Sequence, residues 1–278
     1  MIKRKLNESP IAFRTEGEGI PLVLFHGFGG THSHWDKLVP DLSKNFRVIL
    51  PNLGPLTLGG FQLTFSEQVD LLHEFKRAIY HEFGKFHLCG ISYGGALAWA
   101  LAATDDDKWI EKLILINPMP PRPVKNIDSS SLKRLLWVAR WSPTLWLYLC
   151  TPMAHRDLKK VAVEIRVDWV KRLPRFSEIF SRRQKMLFHL VARFSWILFN
   201  EDWNHWHKLF TNIRNETQII HGENDHLFSW KTMKNFSKRF LNVHLTQLKG
   251  ASHMAIHSSP IEIIECISRF VSEKKKAS

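Results

Sequence analysis

The 278 residues are 44% hydrophobic and 23% charged, with 13 Pro and 14 Gly. That balance suits a globular chain long enough to bury a large core, and it excludes wholesale disorder and collagen-like structure. Three widely spaced cysteines, Cys89, Cys150 and Cys266, form neither a disulfide framework nor a zinc site, and the net charge of +13 is distinctly basic.

The opening MIKRKLNESP has no apolar run behind it, so no signal peptide is expected. No later segment offers the roughly 20 apolar residues of a membrane span. With reduced cysteines, these features predict a cytoplasmic protein, with peripheral attachment to a membrane left open. Short apolar runs then recur at Pro21–Phe25, Arg47–Leu50, Phe86–Cys89, Lys112–Ile116, Thr217–Ile220 and Val243–Leu248. Such runs predict buried strands of a parallel sheet, covered on both faces. Between them, Ser66–Phe83 spaces Val69, Leu72, Phe75 and Ile79 along one helical face, with Ser66 as its expected N-cap. Ser259-Pro260 predicts the start of a last helix whose inner stripe is Ile261, Ile264, Ile267 and Val271. Strand–helix alternation of this kind predicts an α/β fold with a mostly parallel, doubly wound sheet.

Residues 118–210 interrupt the alternation. They hold 17 Lys/Arg against 7 Asp/Glu and seven of the eleven Trp: Trp137, Trp141, Trp146, Trp169, Trp196, Trp203 and Trp206. The segment reads as helical, and its composition predicts an inserted cap of 93 residues. Residues 1–117 and 211–278 would then form the core domain. The run Lys274–Lys276 reads as a solvated tail.

Gly90-Ile91-Ser92-Tyr93-Gly94-Gly95 follows a predicted strand and opens a small-residue helix. That context is the one a nucleophile elbow needs: a serine on a tight strand-to-helix turn, with glycines where side chains would collide. Ahead of it, Phe25-His26-Gly27-Phe28-Gly29-Gly30 ends another strand in a glycine loop. The backbone N–H groups of Phe28 and Tyr93 are the candidate oxyanion donors, and His26 reads as a residue that holds the loop. A dinucleotide fingerprint starting at Gly27 fails, because His32 stands where its last glycine belongs. The serine needs a base and the base an orienting carboxylate. Asp225, with Glu223 as its rival, and His253, with His257 as its rival, follow the last two strands in the order Ser92, Asp225, His253. His32-x-His34 and His205-x-His207 have no acid or cysteine cluster beside them, so no metal and no cofactor is expected.

From Phe13–Gly19 and HGFGG through GISYGG to GENDHLF and GASHMAIH, the chain resembles the α/β-hydrolase superfamily along nearly its whole length. Within it the pattern is similar to capped carboxylesterases of the pimeloyl-carrier-protein methyl esterase type. The resemblance implies Ser92 as nucleophile, Asp225 as acid, His253 as base and a cap inserted after the sixth strand. One loop departs from the pattern. Relatives usually read Asp-x-Pro-Gly-x-Gly-x-Ser after the fourth strand, and this chain reads Pro51-Asn52-Leu53-Gly54-Pro55-Leu56.

The function expected is therefore a serine esterase acting on a carboxylic ester through an acyl-enzyme. A thioesterase, a lipase or a C–C bond hydrolase would use the same residues, and a non-catalytic receptor on this fold is the reading from another class. The basic cap suggests two anionic partners, an acidic carrier protein bearing the acyl chain or an anionic membrane surface. Lys133, Arg134, Arg140, Lys159, Lys160, Arg172, Arg175, Arg182 and Arg183 are among the candidate contacts. Nucleic acid is not favoured, since no binding motif for it accompanies these cations.

Overall fold

The computed structural model describes residues 3–4, 11–58, 63–141, 151–164 and 182–273. The expectations for Cys150, Trp146, Trp169, Arg172, Arg175, the side chains of Arg182 and Arg183, and the lysine tail lie outside the described residues. Eight strands form one sheet in the order β1-β2-β4-β3-β5-β6-β7-β8. They are β1 (Lys3–Arg4), β2 (Phe13–Glu16), β3 (Ile20–Phe25), β4 (Phe46–Pro51), β5 (Phe86–Ile91), β6 (Ile110–Ile116), β7 (Glu216–Asn224) and β8 (Val243–Ser252). All pairs from β4 to β8 are parallel, whereas β1 and β2 pair antiparallel at one edge. The six predicted strands are present, each extended by one to several residues. The antiparallel strands β1 and β2 are not among them, since two and four residues carry too little periodicity to stand out.

Alternation along each strand sends residues to two separate cores. Val23 and Phe25 of β3 face one, and Leu22 and Leu24 face the other. The first core is roofed by helix α1 (Phe65–Phe83) and helix α2 (Tyr93–Ala103). Every residue of α2 is buried, which explains why its sequence is apolar all round. Among the described residues between β6 and β7, the longer helices are α3 (Ser130–Trp141), α4 (Thr151–Glu164), α5 (Arg182–Phe199) and α6 (Trp203–Leu209). Helix α7 (Pro260–Ser272) covers the second core.

Two details of the helices differ from expectation. The N-cap of α1 is Thr64, not Ser66. Thr64 accepts from the Glu67 N–H at 3.2 Å, and Glu67 accepts from the Thr64 N–H at 2.7 Å, a reciprocal capping box. Ser66 instead donates its N–H and hydroxyl to Glu201 at 2.9 and 2.7 Å, tying the start of α1 to the segment between α5 and α6. In α7 the buried stripe is Ile263, Cys266, Ile267, Phe270 and Val271, while Ile261 is 67% exposed. Ile267 and Val271 of the expected stripe are buried and Ile264 is half-buried against the second core, so the departure is confined to Ile261 and to the addition of Ile263, Cys266 and Phe270.

Thr64→Ala removes the cap and should lower the free energy of unfolding by about 1 kcal/mol. Urea denaturation followed by circular dichroism measures this, and an unchanged midpoint would mean the capping box contributes nothing.

Candidate active site

The strand order reverses direction at β3 and β5, so the loops leaving these neighbouring strands diverge and open a crevice at their carboxyl ends. Ser92 sits in that crevice at the end of β5, with φ 53° and ψ −118°. A non-glycine residue reaches such a conformation only when its surroundings impose it. Here the Ser92 N–H donates to Ile116 O, and Ser92 O accepts from Ala96 and Met119, all at 3.0 Å. The glycines on either side permit the close approach. A methyl group at Gly94 would strike the carbonyl oxygens of Phe25 and His26, and one at Gly90 would strike Gly94 itself.

The loop after β3 lies against this turn. A β-carbon on Gly27 would stand 3.6 Å from that of Ser92, and the Phe28 and Tyr93 rings are 5.4 Å apart edge to face. Tyr93 is the first residue of α2, where backbone N–H groups lack partners within the helix and the helix dipole is positive. His26 holds the loop. Its Nε2 accepts the Leu53 N–H at 3.0 Å, which leaves Nδ1 to donate to Gly27 O at 2.9 Å. Leu53 belongs to the loop that departs from the usual pattern, so His26 fastens that unusual loop to the crevice. Burial, with smaller contributions from nearby histidines, depresses the His26 imidazole to about 4 and keeps it uncharged.

The structure brings Ser92, Asp225 and His253 together in one hydrogen-bonded chain. His253 Nε2 lies 2.8 Å from Ser92 Oγ, and His253 Nδ1 lies 2.8 Å from Asp225 Oδ2. Burial alone would raise the Asp225 carboxyl, but the His253 imidazole, His221 and the Phe228 N–H together hold it below its ordinary range. Its Oδ1 accepts from the N–H groups of Leu227 and Phe228 at 2.9 and 3.1 Å. The two rivals stand elsewhere. Glu223 accepts the Gly250 N–H at 2.9 Å and so pins the loop before His253. His257 lies in a short helix, 6.1 Å from the His34 ring.

Other residues at the site carried no assignment in the sequence. Asn117, fully buried at the end of β6, donates to Ser252 O at 3.0 Å and His253 O at 2.6 Å, and accepts the Gly222 N–H at 2.7 Å. One amide thus joins the acid-bearing and histidine-bearing strands. An asparagine ending the apolar run LILI was its only signal, and its partners lie 105 to 136 residues away. His221 places Nδ1 4.0 Å from Asp225 Oδ2, and burial lowers its imidazole although the carboxylate opposes the shift. From α5, Leu190 reaches the glycine loop at Gly29, and the Phe194 ring packs 4.8 Å from that of Phe28. A hydrogen-bonded serine and imidazole beside helix-end N–H groups can carry out nucleophilic acyl transfer. Among the described residues no group of three or more His, Cys, Asp or Glu could hold a metal ion.

Fold and crevice define the class, and sequence comparison agrees with them. The chain belongs to the alpha/beta hydrolase fold family, whose model matches residues 20–260. It is 26% identical over 277 residues to a pimeloyl-[acyl-carrier protein] methyl ester esterase of Nitrosospira multiformis, covering 91% of this chain and 95% of that protein. A protein of the same name from Legionella pneumophila (strain Lens) is 35% identical over 113 residues, 40% of this chain and 43% of its own. The fold also matches a bromoperoxidase structure from Bacillus anthracis, with a TM-score of 0.70, 18% identity and coverage of 98% and 99%. The chain is thus an α/β hydrolase with esterase-type relatives.

Two outcomes follow from the geometry. Asn117→Ala would leave a buried N–H and two carbonyls without their partner, lowering stability by about 2–3 kcal/mol in urea titrations; no loss would mean water or a neighbour replaces the amide. His26, His34 and His87 are each depressed by burial to about 4. Each binds a proton in the unfolded chain near 6.5 but not in the folded one until about 4, so stability should fall as pH drops through that window. A urea midpoint that stays constant from pH 7 to pH 5 would contradict this.

Proposed function

We propose that the chain is a serine hydrolase that cleaves a carboxylic ester through an acyl-enzyme, with residues 118–210 as a cap on a core formed by 1–117 and 211–278. The observation that carries this reading is the unbroken chain of two 2.8 Å contacts from Ser92 through His253 to Asp225. His253 Nε2 takes the Ser92 proton as Oγ attacks the ester carbonyl carbon. The negative charge moves to the carbonyl oxygen, which rests on the Phe28 and Tyr93 N–H groups. The tetrahedral intermediate collapses and the alcohol leaves with the proton from His253. Water, deprotonated by the same nitrogen, then attacks the acyl carbon, and Ser92 regains its proton as the acid departs. Asp225 fixes the tautomer and offsets the imidazolium charge in each half-reaction. The apolar contacts of Leu190 and Phe194 with the glycine loop favour an acyl group on that side. The pimeloyl-carrier-protein esterases among the relatives support an acyl ester as substrate.

Ser92→Ala should abolish both labelling by a fluorophosphonate probe and turnover of a soluble aryl ester. His253→Ala should lower turnover by about a thousandfold or more. Asp225→Asn should also be severe, while Glu223→Gln should cost little. Labelling that survives Ser92→Ala would end the proposal, and loss of activity in Glu223→Gln with retention in Asp225→Asn would reassign the acid.

A further inference from the structure

The Trp residues of the cap segment divide into two kinds. Trp203 and Trp206 are buried against Phe65 at the start of α1, where tryptophan fills the core. Trp137 and Trp141 are 59% and 65% exposed. They lie one helical turn apart on the outward stripe of α3, which reads Ser130, Lys133, Arg134, Trp137, Arg140 and Trp141. The neighbouring helix α4 presents Pro152, Arg156, Lys159, Lys160 and Val163 outward. The two helices are joined by the paired hydrogen bonds of Arg134 to Asp157, at 2.9 and 2.7 Å, and Asp157 is buried beneath them. Among the described residues, neither outward stripe carries an acid. A solvent-facing helix surface ordinarily mixes both charges and omits Trp. This one combines cations of a single sign with bulky amphipathic rings.

We infer that the outward face of α3 and α4 docks on an anionic lipid surface, with Trp137 and Trp141 seated at the boundary between headgroups and acyl chains. Tryptophan favours that boundary because its ring is apolar and its N–H still finds a polar partner. Lys and Arg lay their alkyl stems along the apolar layer and place their charges among the headgroups. Arg140 already stacks on Trp141, its guanidinium carbon 5.3 Å from the ring centroid, so anchor and cation would enter the interface together. Charge complementarity selects an anionic surface. Both rings stand largely exposed on the helix face, and a fluid lipid layer accommodates such protruding rings better than a folded acidic protein would. Trp137 also lines an apolar cavity of about 490 Å³, with Ile127, Leu136, Val138, Met153 and Phe199 among its other walls. Docking by this face would set that cavity against the acyl layer.

The test uses the full chain carrying Ser92→Ala, so that no lipid ester is consumed and binding is read independently of catalysis. It is sedimented with vesicles of phosphatidylglycerol and phosphatidylcholine in equal parts, and with vesicles of phosphatidylcholine alone. Binding is expected only to the anionic vesicles, and it should weaken by about tenfold or more as salt rises from about 0.05 M to about 0.5 M. Adding Lys159→Glu and Lys160→Glu should weaken it by a similar factor; the same pair in the wild-type background should hydrolyse a soluble aryl ester at the unchanged rate. Trp137→Gln with Trp141→Gln should also weaken binding about tenfold, with the circular dichroism spectrum retained. Failure to sediment with anionic vesicles, equal binding to both vesicle types, or variants that bind like the parent would overturn the inference. So would capture of a soluble acidic carrier protein by this face in the absence of vesicle binding.

Discussion

A serine held at φ 53° by its neighbours is the constraint on which the rest of the site depends. The turn cannot relax, because β5 hands directly into α2 and the end of β3 approaches the first turn of α2 too closely at Gly94 for any side chain. Bonds from Ser92 to Ile116, Ala96 and Met119 fix it from three directions. The strain of such a turn is of order 1–3 kcal/mol and is offset by packing around α2, every residue of which is buried. Its return is directional: Oγ and the first N–H groups of α2 face the same crevice.

A second constraint is electrostatic. The site places one carboxylate, Asp225, in a buried position, and a buried charge is costly unless it is paired. Two backbone N–H groups and the His253 imidazole meet that need. His221, beside this carboxylate, is lowered by burial and donates to Phe228 O at 2.9 Å, while His26 on the glycine loop is depressed by burial to about 4. Among the described residues of 118–210, Lys133, Arg134, Arg140, Arg156, Lys159 and Lys160 stand instead on outward helix faces.

One cation of that segment turns inward and shows how it is fastened to the sheet. Arg193 of α5 is buried and donates to Thr57 O at 3.2 Å and Leu63 O at 3.0 Å, carbonyls that flank the segment before α1. Ser195 of the same helix donates to Leu136 O of α3 at 2.7 Å. Between them Phe194 meets Phe28 and Tyr93. Three successive residues of α5 thus hold the segment before α1, the glycine loop and α3 in one arrangement.

The sequence by itself determined the fold class, because four-to-six-residue apolar runs between amphipathic helices leave few alternatives to a parallel sheet. It also marked Ser92, His253 and Asp225, since the elbow glycines and the strand-end positions of the acid and the histidine are local patterns. Only the tertiary structure brought Ser92 and Asp225 each to 2.8 Å from His253. It likewise decided matters that depend on distant partners: Thr64 over Ser66 as the cap of α1, Glu223 as a loop pin, and Asn117 as the tie between two strands. Composition could not separate the Trp residues of 118–210, because a core ring and an outward ring have the same formula. Trp206 is buried because Phe65, Trp99 and Ser66 surround it, whereas the described surroundings of Trp137 leave it open to solvent. That difference lies in contacts between segments far apart in the chain, which no local pattern encodes.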